Sequence, residues 1–130
     1  MFSANVYNFV NVLDKAADAS WARNEILSNN IANVDTPDFK RSDINFESYL
    51  SAELEGAGAS SIRETVANVE LNNINYSAYT DMSELSYRLD GNNVDIDTEN
   101  VELASNQVKY NALLDSISNE FNMIKIALTK

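Results

Sequence analysis

Residues 29–40 read Asn-Asn-Ile-Ala-Asn-Val-Asp-Thr-Pro-Asp-Phe-Lys, and the residues before them contain neither glycine nor proline. Pro37, the only proline of the chain, disfavours helical conformation at Thr36, so the run predicts a long helix that ends near Thr36. Asn33 is placed to bind the last free carbonyls or to enter the left-handed conformation. The run offers amides and a hydroxyl but no histidine or cysteine, which does not suit catalysis. We therefore expect a joint between a helix and an extended arm, and we expect Pro37→Ala to let the helix run on toward Phe39.

Both ends of the chain repeat apolar residues at alternating steps of four and three, which is the spacing of a coiled-coil seam. Ser20, Asn24 and Gln107 interrupt the two seams, and polar residues at such positions fix register at a cost in stability. An ordinary two-helix packing with imperfect core positions fits the same spacing. The N-terminal seam contains Val10, Leu13, Ala17, Leu27 and Ile31, and the C-terminal seam contains Tyr110, Leu114, Ile117, Phe121, Ile124 and Leu128.

The predicted fold is therefore mainly α, with long N- and C-terminal helices packed as a coiled-coil-like pair around an irregular middle segment. We expect one domain over residues 1–130, made of a helix at 1–35, an extended arm with loops at 36–97 and a second helix at 98–130. Asp97 or Thr98 is the expected N-cap of the second helix, and acidic residues in its first turn favour its positive end.

The middle segment gives weaker signals. Residues 44–54 fit a helix or an extended arm, and residues 55–61 are small and predict a loop. Residues 68–79 have room for a short strand or hairpin. Asp90 and Gly91 predict a turn just before the last helix.

Charge is concentrated in this middle segment. Residues 42–102 hold 13 of the 20 acidic side chains and only two arginines, so the whole net charge of −11 lies there. Neutral ends suit helices that pack beside copies of themselves, because repeated like charges repel. An acidic solvated surface is the alternative interpretation. Nucleic acid is not an expected partner, because no basic patch would neutralise phosphates.

Composition argues against an enzyme. The chain has no histidine and no cysteine, and no acidic pair stands on an apolar background that would form a pocket. An EF-hand that begins at Asp90 would place Val94, Asp95 and Val101 at positions where a ligand, glycine and a bidentate Glu are required. We expect no catalytic, cofactor or metal residues. The first residues lack the basic start and apolar stretch of a signal peptide, and no stretch approaches the ~20 apolar residues of a membrane span, so we expect neither a cleaved signal nor direct membrane insertion.

The run at residues 29–40 resembles the N-terminal signature of the bacterial flagellar axial proteins. The positions that match are Ser28, Asn29, Asn30, Ile31, Ala32, Asn33, Thr36, Pro37, Phe39 and Lys40. Asp38 stands where that family usually has glycine. Glycine would permit a positive φ, whereas aspartate favours a type I turn and tolerates the left-handed region only at some cost. We expect Asp38→Gly to be tolerated.

A second block narrows the resemblance to the proximal rod subunits of the flagellar basal body. It comprises residues 90–95 together with Asp97, Glu99, Ala104, Asn106, Tyr110 and Leu113, and just after the first run Arg41, Asp43 and Phe46 also match. The resemblance implies a structural subunit of the proximal rod, which connects the membrane ring to the rest of the rod and lines the export channel. Our hypothesis is that the first run acts as a conformational stop needed for packing between subunits, and its residues are Asn29, Asn30, Ala32, Asn33, Thr36 and Pro37.

The partners that the resemblance implies are other rod subunits, the membrane-ring protein with its rod adaptor, and copies of the chain itself. The implied location is the periplasmic rod, reached through the flagellar type III export apparatus without cleavage of a signal. The alternative is a soluble or secreted helical coiled-coil adaptor protein. Such an adaptor would be compact and fully helical alone, whereas a rod subunit would have frayed ends in the monomer.

Overall fold

A computed structural model describes residues 4–58, 61–85 and 87–129. Helix α1 spans Ala4–Ala32, strand β1 Ser42–Ile44, α2 Phe46–Ala57 and α3 Ile62–Ala67. A 3₁₀ turn at Leu71–Asn73 leads to strand β2 at Ala78–Thr80, and the last helix, α4, spans Ile96–Leu128. The prediction of a mainly α fold with two long helices and a short β element is confirmed. Within the described residues, no helix is both long and apolar enough to cross a bilayer.

Helices α1 and α4 pack against each other in antiparallel directions. Near the end of α1, Asn30 contacts Glu99 at the start of α4, and closer to the middle the Asn106 amide donates to the Ser20 carbonyl over 2.7 Å. Leu27 is fully buried in this interface. The paired helices place the end of α1 beside the start of α4, which brings the two sequence motifs together.

A second face of α1 packs against the segment between the long helices, which we call the arm (residues 33–95). Val12, Ala16 and Ala19 form the main apolar cluster with Phe46, Val69 and Ile74. Lys15 extends this contact by donating to the Ile74 carbonyl over 3.0 Å. The sequence predicts only one apolar stripe on α1, and the second stripe is missed because two of its three members are alanines.

The arm differs from its prediction in several places. β1 and β2 pair antiparallel with Asp43 opposite Tyr79, so the strand lies at 78–80, at the end of the expected region. Helix α2 continues to Ala57, so the loop expected from residue 55 begins three residues later. The rest of that predicted loop contains residues 59 and 60, which lie outside the described residues. Ser61 then caps α3 by accepting from the Glu64 N–H over 3.2 Å.

The start of α4 also differs from its prediction. The cap is Asp95, whose carboxylate accepts from the backbone N–H groups of Asp97 and Thr98 at 3.1 and 3.3 Å. Asp97 and Thr98, the two residues predicted to cap, therefore lie inside the first turn. An N-cap side chain binds the N–H groups two and three residues further on, and Asp95 is the residue with that spacing.

Candidate functional site

The end of α1 is formed by amide and hydroxyl contacts. The Asn33 amide donates to the Asn29 carbonyl over 2.9 Å, and the Thr36 hydroxyl donates to Asn33 Oδ1 over 3.1 Å. Asn33 therefore binds a free carbonyl, and among the described non-glycine residues only Asp38 has a positive φ. The helix ends at Ala32, five residues before Pro37. The extension expected in Pro37→Ala would first require the loss of these contacts.

Asn92, in the segment just before α4, binds the turn that follows α1. Its side-chain nitrogen lies 2.9, 3.0 and 2.8 Å from the carbonyl oxygens of Asn33, Val34 and Thr36. Asn92 is 1% exposed, and its Oδ1 accepts from the Val94 N–H over 2.7 Å. These three carbonyls belong to the turn that follows Ala32, and each also accepts from a second donor, namely the Thr36 N–H, the Arg88 guanidinium and the Phe39 N–H. One buried amide from the second sequence block therefore holds this turn in place, a contact that neither block reveals alone.

Two turns with positive φ meet beside this cap. Asp38 has φ 58° and Gly91 has φ 77°, and the Asp38 N–H donates to the Asp90 carbonyl over 2.8 Å. The expected preference of aspartate for a type I turn is therefore wrong at this position. The turns are so close that a Cβ on Gly91 would lie 2.4 Å from Asp38 Oδ1. The backbone hydrogen bond between the turns holds residue 38 in the left-handed region.

We expect Asp38→Gly to leave the free energy of unfolding within about 1 kcal/mol of the parent value, because glycine suits this φ but gains entropy in the unfolded chain. Asp38→Val is the matched control. A β-branched residue is strongly disfavoured in the left-handed region, so the control should lose about 1 to 2 kcal/mol. Urea denaturation followed by circular dichroism compares the two variants. A loss for Asp38→Gly as large as that for Asp38→Val would contradict the assigned turn geometry.

Asn30 holds the arm against the last turn of α1. It is 1% exposed; its Oδ1 accepts from the Ser42 N–H over 3.0 Å, and its Nδ2 donates to the Ser42 carbonyl over 2.8 Å. The same nitrogen lies 3.1 Å from Glu99 Oε2 on α4. The neighbouring motif residues Asn29, Ala32, Thr36 and Pro37 are exposed, and Asn33 is half-buried. Asn30 and Asn33 are thus the motif residues whose side chains bind other parts of the chain or the helix end.

A network of two arginines and four acids joins α1, the arm and α4. Arg23 binds Asp43 through two hydrogen bonds of 2.7 and 3.0 Å and Glu102 through one of 2.9 Å. Arg41 pairs with Glu99, with Asp43 at 3.2 Å and with Asp81 at 3.4 Å. Asn93 supports this arrangement by accepting from the Arg41 N–H over 2.6 Å. The bidentate contact between Arg23 and Asp43 is the strong form of such a pair.

The ionisation of this network is set by burial and pairing together. Burial alone would raise the pKa of Asp43, but the hydrogen bond from Arg23 and the Ile44 N–H hold that pKa below its usual range. Burial would likewise lower the pKa of Arg41, and the hydrogen bond to Glu99 raises it above its ordinary value. The carboxylates of the network are occupied by arginines, so the network serves to connect elements. No group of three or more acidic residues within the described ranges could hold a metal ion.

Only some residues of the C-terminal seam are covered by other parts of the same chain. Tyr110, Ile117 and Ile124 are half-buried, whereas Leu114, Phe121 and Leu128 are 41, 53 and 71% exposed. On the N-terminal seam Val10, Ala17 and Leu27 are buried, and Leu13 and Ile31 are half-buried.

Polar residues occupy the inner positions of α4 where the seam predicted apolar ones. Asn106 is 2% and Glu120 is 6% exposed. Their partners explain this placement, because Asn106 binds the Ser20 carbonyl and Glu120 pairs with Arg63 at 3.0 Å. The apolar residues next to them are consequently turned away from α1.

The chain is similar in sequence to known flagellar rod proteins. The family described as "Flagella basal body rod protein" matches residues 11–40. The chain is 34% identical to the flagellar basal body rod protein FlgB of Bacillus subtilis over 131 aligned positions, which cover 99% of this chain and 96% of that protein. It is 33% identical to FlgB of Borrelia hermsii, with 92 and 94% covered, and 36% identical to FlgB of Escherichia coli, with 75 and 76% covered. None of these similarities supports the alternative of a coiled-coil adaptor protein.

Proposed function

This chain belongs to the FlgB family of flagellar basal body rod proteins, and we propose that it is a structural subunit of the proximal part of the rod. In this proposal its two long helices form an inner coiled-coil-like layer around the export channel. The subunit connects the membrane ring and its rod adaptor to the next rod subunits, and it also contacts copies of itself. It reaches the periplasmic rod through the flagellar export apparatus without a cleaved signal peptide.

The observation that carries this proposal is the exposed apolar stripe of α4, formed by Leu114, Phe121 and Leu128. The three residues recur every seven positions, so they line one side of the helix. A helical pair that works alone would bury these three apolar residues and expose Asn106 and Glu120. In this structure the three apolar residues are exposed, and Asn106 and Glu120 are buried. A stripe of this kind gains stability when a neighbouring helix covers it, at roughly 1.5 to 3 kcal/mol per large apolar side chain. The seam therefore suits contact between subunits better than the interior of a monomer.

The arm holds α1 and α4 in one arrangement and leaves the stripe uncovered. It is held on α1 by the apolar cluster and on both helices by the arginine network, and it leaves the other sides of α1 and α4 open. The stop residues at 29–37 end α1 where the arm must turn back. We assign them this packing role because Asn30 and Asn33 bind backbone groups through their side chains and Thr36 binds Asn33.

Deletion of the gene tests the proposal. We expect the deletion strain to build no rod or filament beyond the membrane ring, because later subunits would lack a template. The parent gene should restore swimming, whereas Phe121→Glu should not. Tyr76→Glu is the matched control: Tyr76 is an aromatic residue of the arm with a similar exposure, 45%, and it is not part of the α4 stripe, so this variant should restore swimming. A deletion strain that swims would show that the chain is not a rod subunit.

A further inference from the structure

The face of the α1 and α4 pair opposite the arm carries two patches of different chemistry. The arm covers the side of α1 that bears Val12, Ala16 and Ala19, and with 3.6 residues per turn a different set projects on the far side. We call this surface the rear face. It contains Tyr7, Asp14, Asp18, Trp21 and Glu25 from α1, and Gln107, Leu114, Phe121, Lys125 and Leu128 from α4.

The first patch is a groove with an unsatisfied acceptor. Trp21, 53% exposed, contacts Tyr110 across the helix pair at a ring-centroid distance of 5.7 Å. The groove beside them has a volume of about 250 Å³ and is lined by Trp21, Asn24, Gln107, Tyr110 and Asn111. In it, Asn24 Oδ1 is buried and receives no hydrogen bond from any described residue. Buried polar atoms in folded proteins nearly always have a partner, so this oxygen is an acceptor that a donor entering the groove would satisfy.

The groove is flanked by negative charge. Asp14, Asp18 and Glu25 lie on the same side of α1 as Trp21, are exposed, and pair with no described residue. Their side chains follow one another along the helix at spacings of four and seven, which places them on one edge of the groove. A partner that fits this patch carries a cation with apolar surface around it.

The second patch has that chemistry and lies near the far end of α4. Lys125 is exposed and makes no hydrogen bond or ion pair with the described part of the chain. It stands between Phe121 and Leu128, which are 53 and 71% exposed. Asn106 lies beside Ser20, so Lys125 is about 28 Å further along α4 at 1.5 Å per residue. The lysine therefore cannot reach the groove of its own chain.

We propose that the two patches bind each other between successive copies of this chain. The last turns of α4 of one copy lie in the groove of the next, where Asp18 and Glu25 attract the Lys125 ammonium. The Asn24 amide turns its Oδ1 toward the groove and accepts from that ammonium. Phe121 and Leu128 cover the exposed ring of Trp21. Because the two patches differ, the contact is head-to-tail and generates an open helical assembly instead of a closed dimer. This inference rests on the proposed function and names which face of one copy meets which part of the next.

Cysteine crosslinking tests the contact, since the natural chain has no cysteine. Cells that lack the native gene would express the Asn24→Cys/Lys125→Cys double variant, and a short bis-maleimide reagent would be applied to purified basal bodies. We expect a ladder of dimers, trimers and larger multimers of this chain. Each single-cysteine variant and the control pair Asn24→Cys/Tyr79→Cys, whose second site lies on the arm strand β2, should give no ladder.

Several results would overturn the inference while leaving the proposed function intact. One is a double variant that swims and yields no ladder; another is a dimer from Asn24→Cys alone, which indicates a two-fold contact; a third is a crosslink to a different protein. Charge variants give an independent measurement. Lys125→Glu should lose filaments and Lys125→Arg should keep them, so unimpaired swimming with Lys125→Glu would also reject the contact. A deletion strain that swims would reject the rod assignment itself.

Discussion

Glu99→Ala is expected to lower the free energy of unfolding by about 3 to 5 kcal/mol, which is the usual cost of removing one partner from a buried ion pair. Glu99 is 1% exposed and binds both Arg41 and Asn30. Its removal leaves the Arg41 guanidinium with only the longer contacts to Asp43 and Asp81. Small domains have a total stability of roughly 5 to 15 kcal/mol, so much of the variant should be unfolded or close to it.

Glu102→Ala is the matched control for this prediction. It removes the same kind of side chain from the same helix and the same network, but the Glu102 side chain is 42% exposed and Arg23 keeps its two bonds to Asp43. An exposed ion pair is worth about 0 to 1 kcal/mol, so the control should stay within that range. Urea denaturation of both variants gives the comparison. Equal losses would mean that the buried position of Glu99 adds nothing to its pairing.

Asn92→Ala should cost about 1 to 3 kcal/mol, because it leaves the buried Val94 N–H without its acceptor and removes the amide that donates to the turn after α1. Asn92→Asp shows whether the loss comes from the missing hydrogen-bond donor or from the missing side-chain volume. The aspartate keeps the shape but turns an acceptor toward the carbonyls, so it should be at least as unstable as Asn92→Ala.

Asn75→Ala is the control for a single exposed amide. Asn75 donates to one carbonyl, that of Asn72 at 2.9 Å, and is exposed, so its loss should cost less than about 1 kcal/mol. Hydrogen exchange at residues 29–36 should quicken in both Asn92 variants and remain unchanged in the control. If Asn92→Asp proved as stable as the parent, the assigned hydrogen bonds to the end of α1 would be wrong.

The helix pair could be predicted from the sequence because its signal is local. Apolar residues at steps of three and four define both helices, and each helix can be recognised within its own segment. The start of α4 was misplaced by two residues, since Asp95, Asp97 and Thr98 are all suitable caps and the choice depends on the backbone before the helix. The end of α1 differs for a related reason. The helix stops at Ala32, earlier than the proline requires, because the side chains of Asn33, Thr36 and Asn92 stabilise a turn there.

The contacts between distant segments could not be predicted in the same way. Asn30 and Asn92 look like ordinary turn or helix residues in the sequence, and their burial depends on carbonyls and carboxylates supplied by segments far along the chain. The orientation of α4 is a similar case. Its apolar residues suggest a seam that includes Phe121, but the Ser20 carbonyl and Arg63 bind Asn106 and Glu120, and these bonds rotate α4 away from that seam. The side of α4 that faces α1 thus depends on pairing between polar groups, which the spacing of apolar residues does not reveal.

The cap that Asn92 places on α1 also imposes an order in time. A chain that emerges N-terminus first, from a ribosome or from any narrow passage, presents the end of α1 well before its cap. The bond joins positions 59 residues apart, and closing so long a loop costs entropy that only the finished contacts repay. Until residue 92 has emerged, the turn that follows α1 lacks this donor and α4 does not yet exist. The buried apolar cluster can form earlier, because its residues end at Ile74, but the helix pair and the turn after α1 are completed only when the final third of the chain arrives.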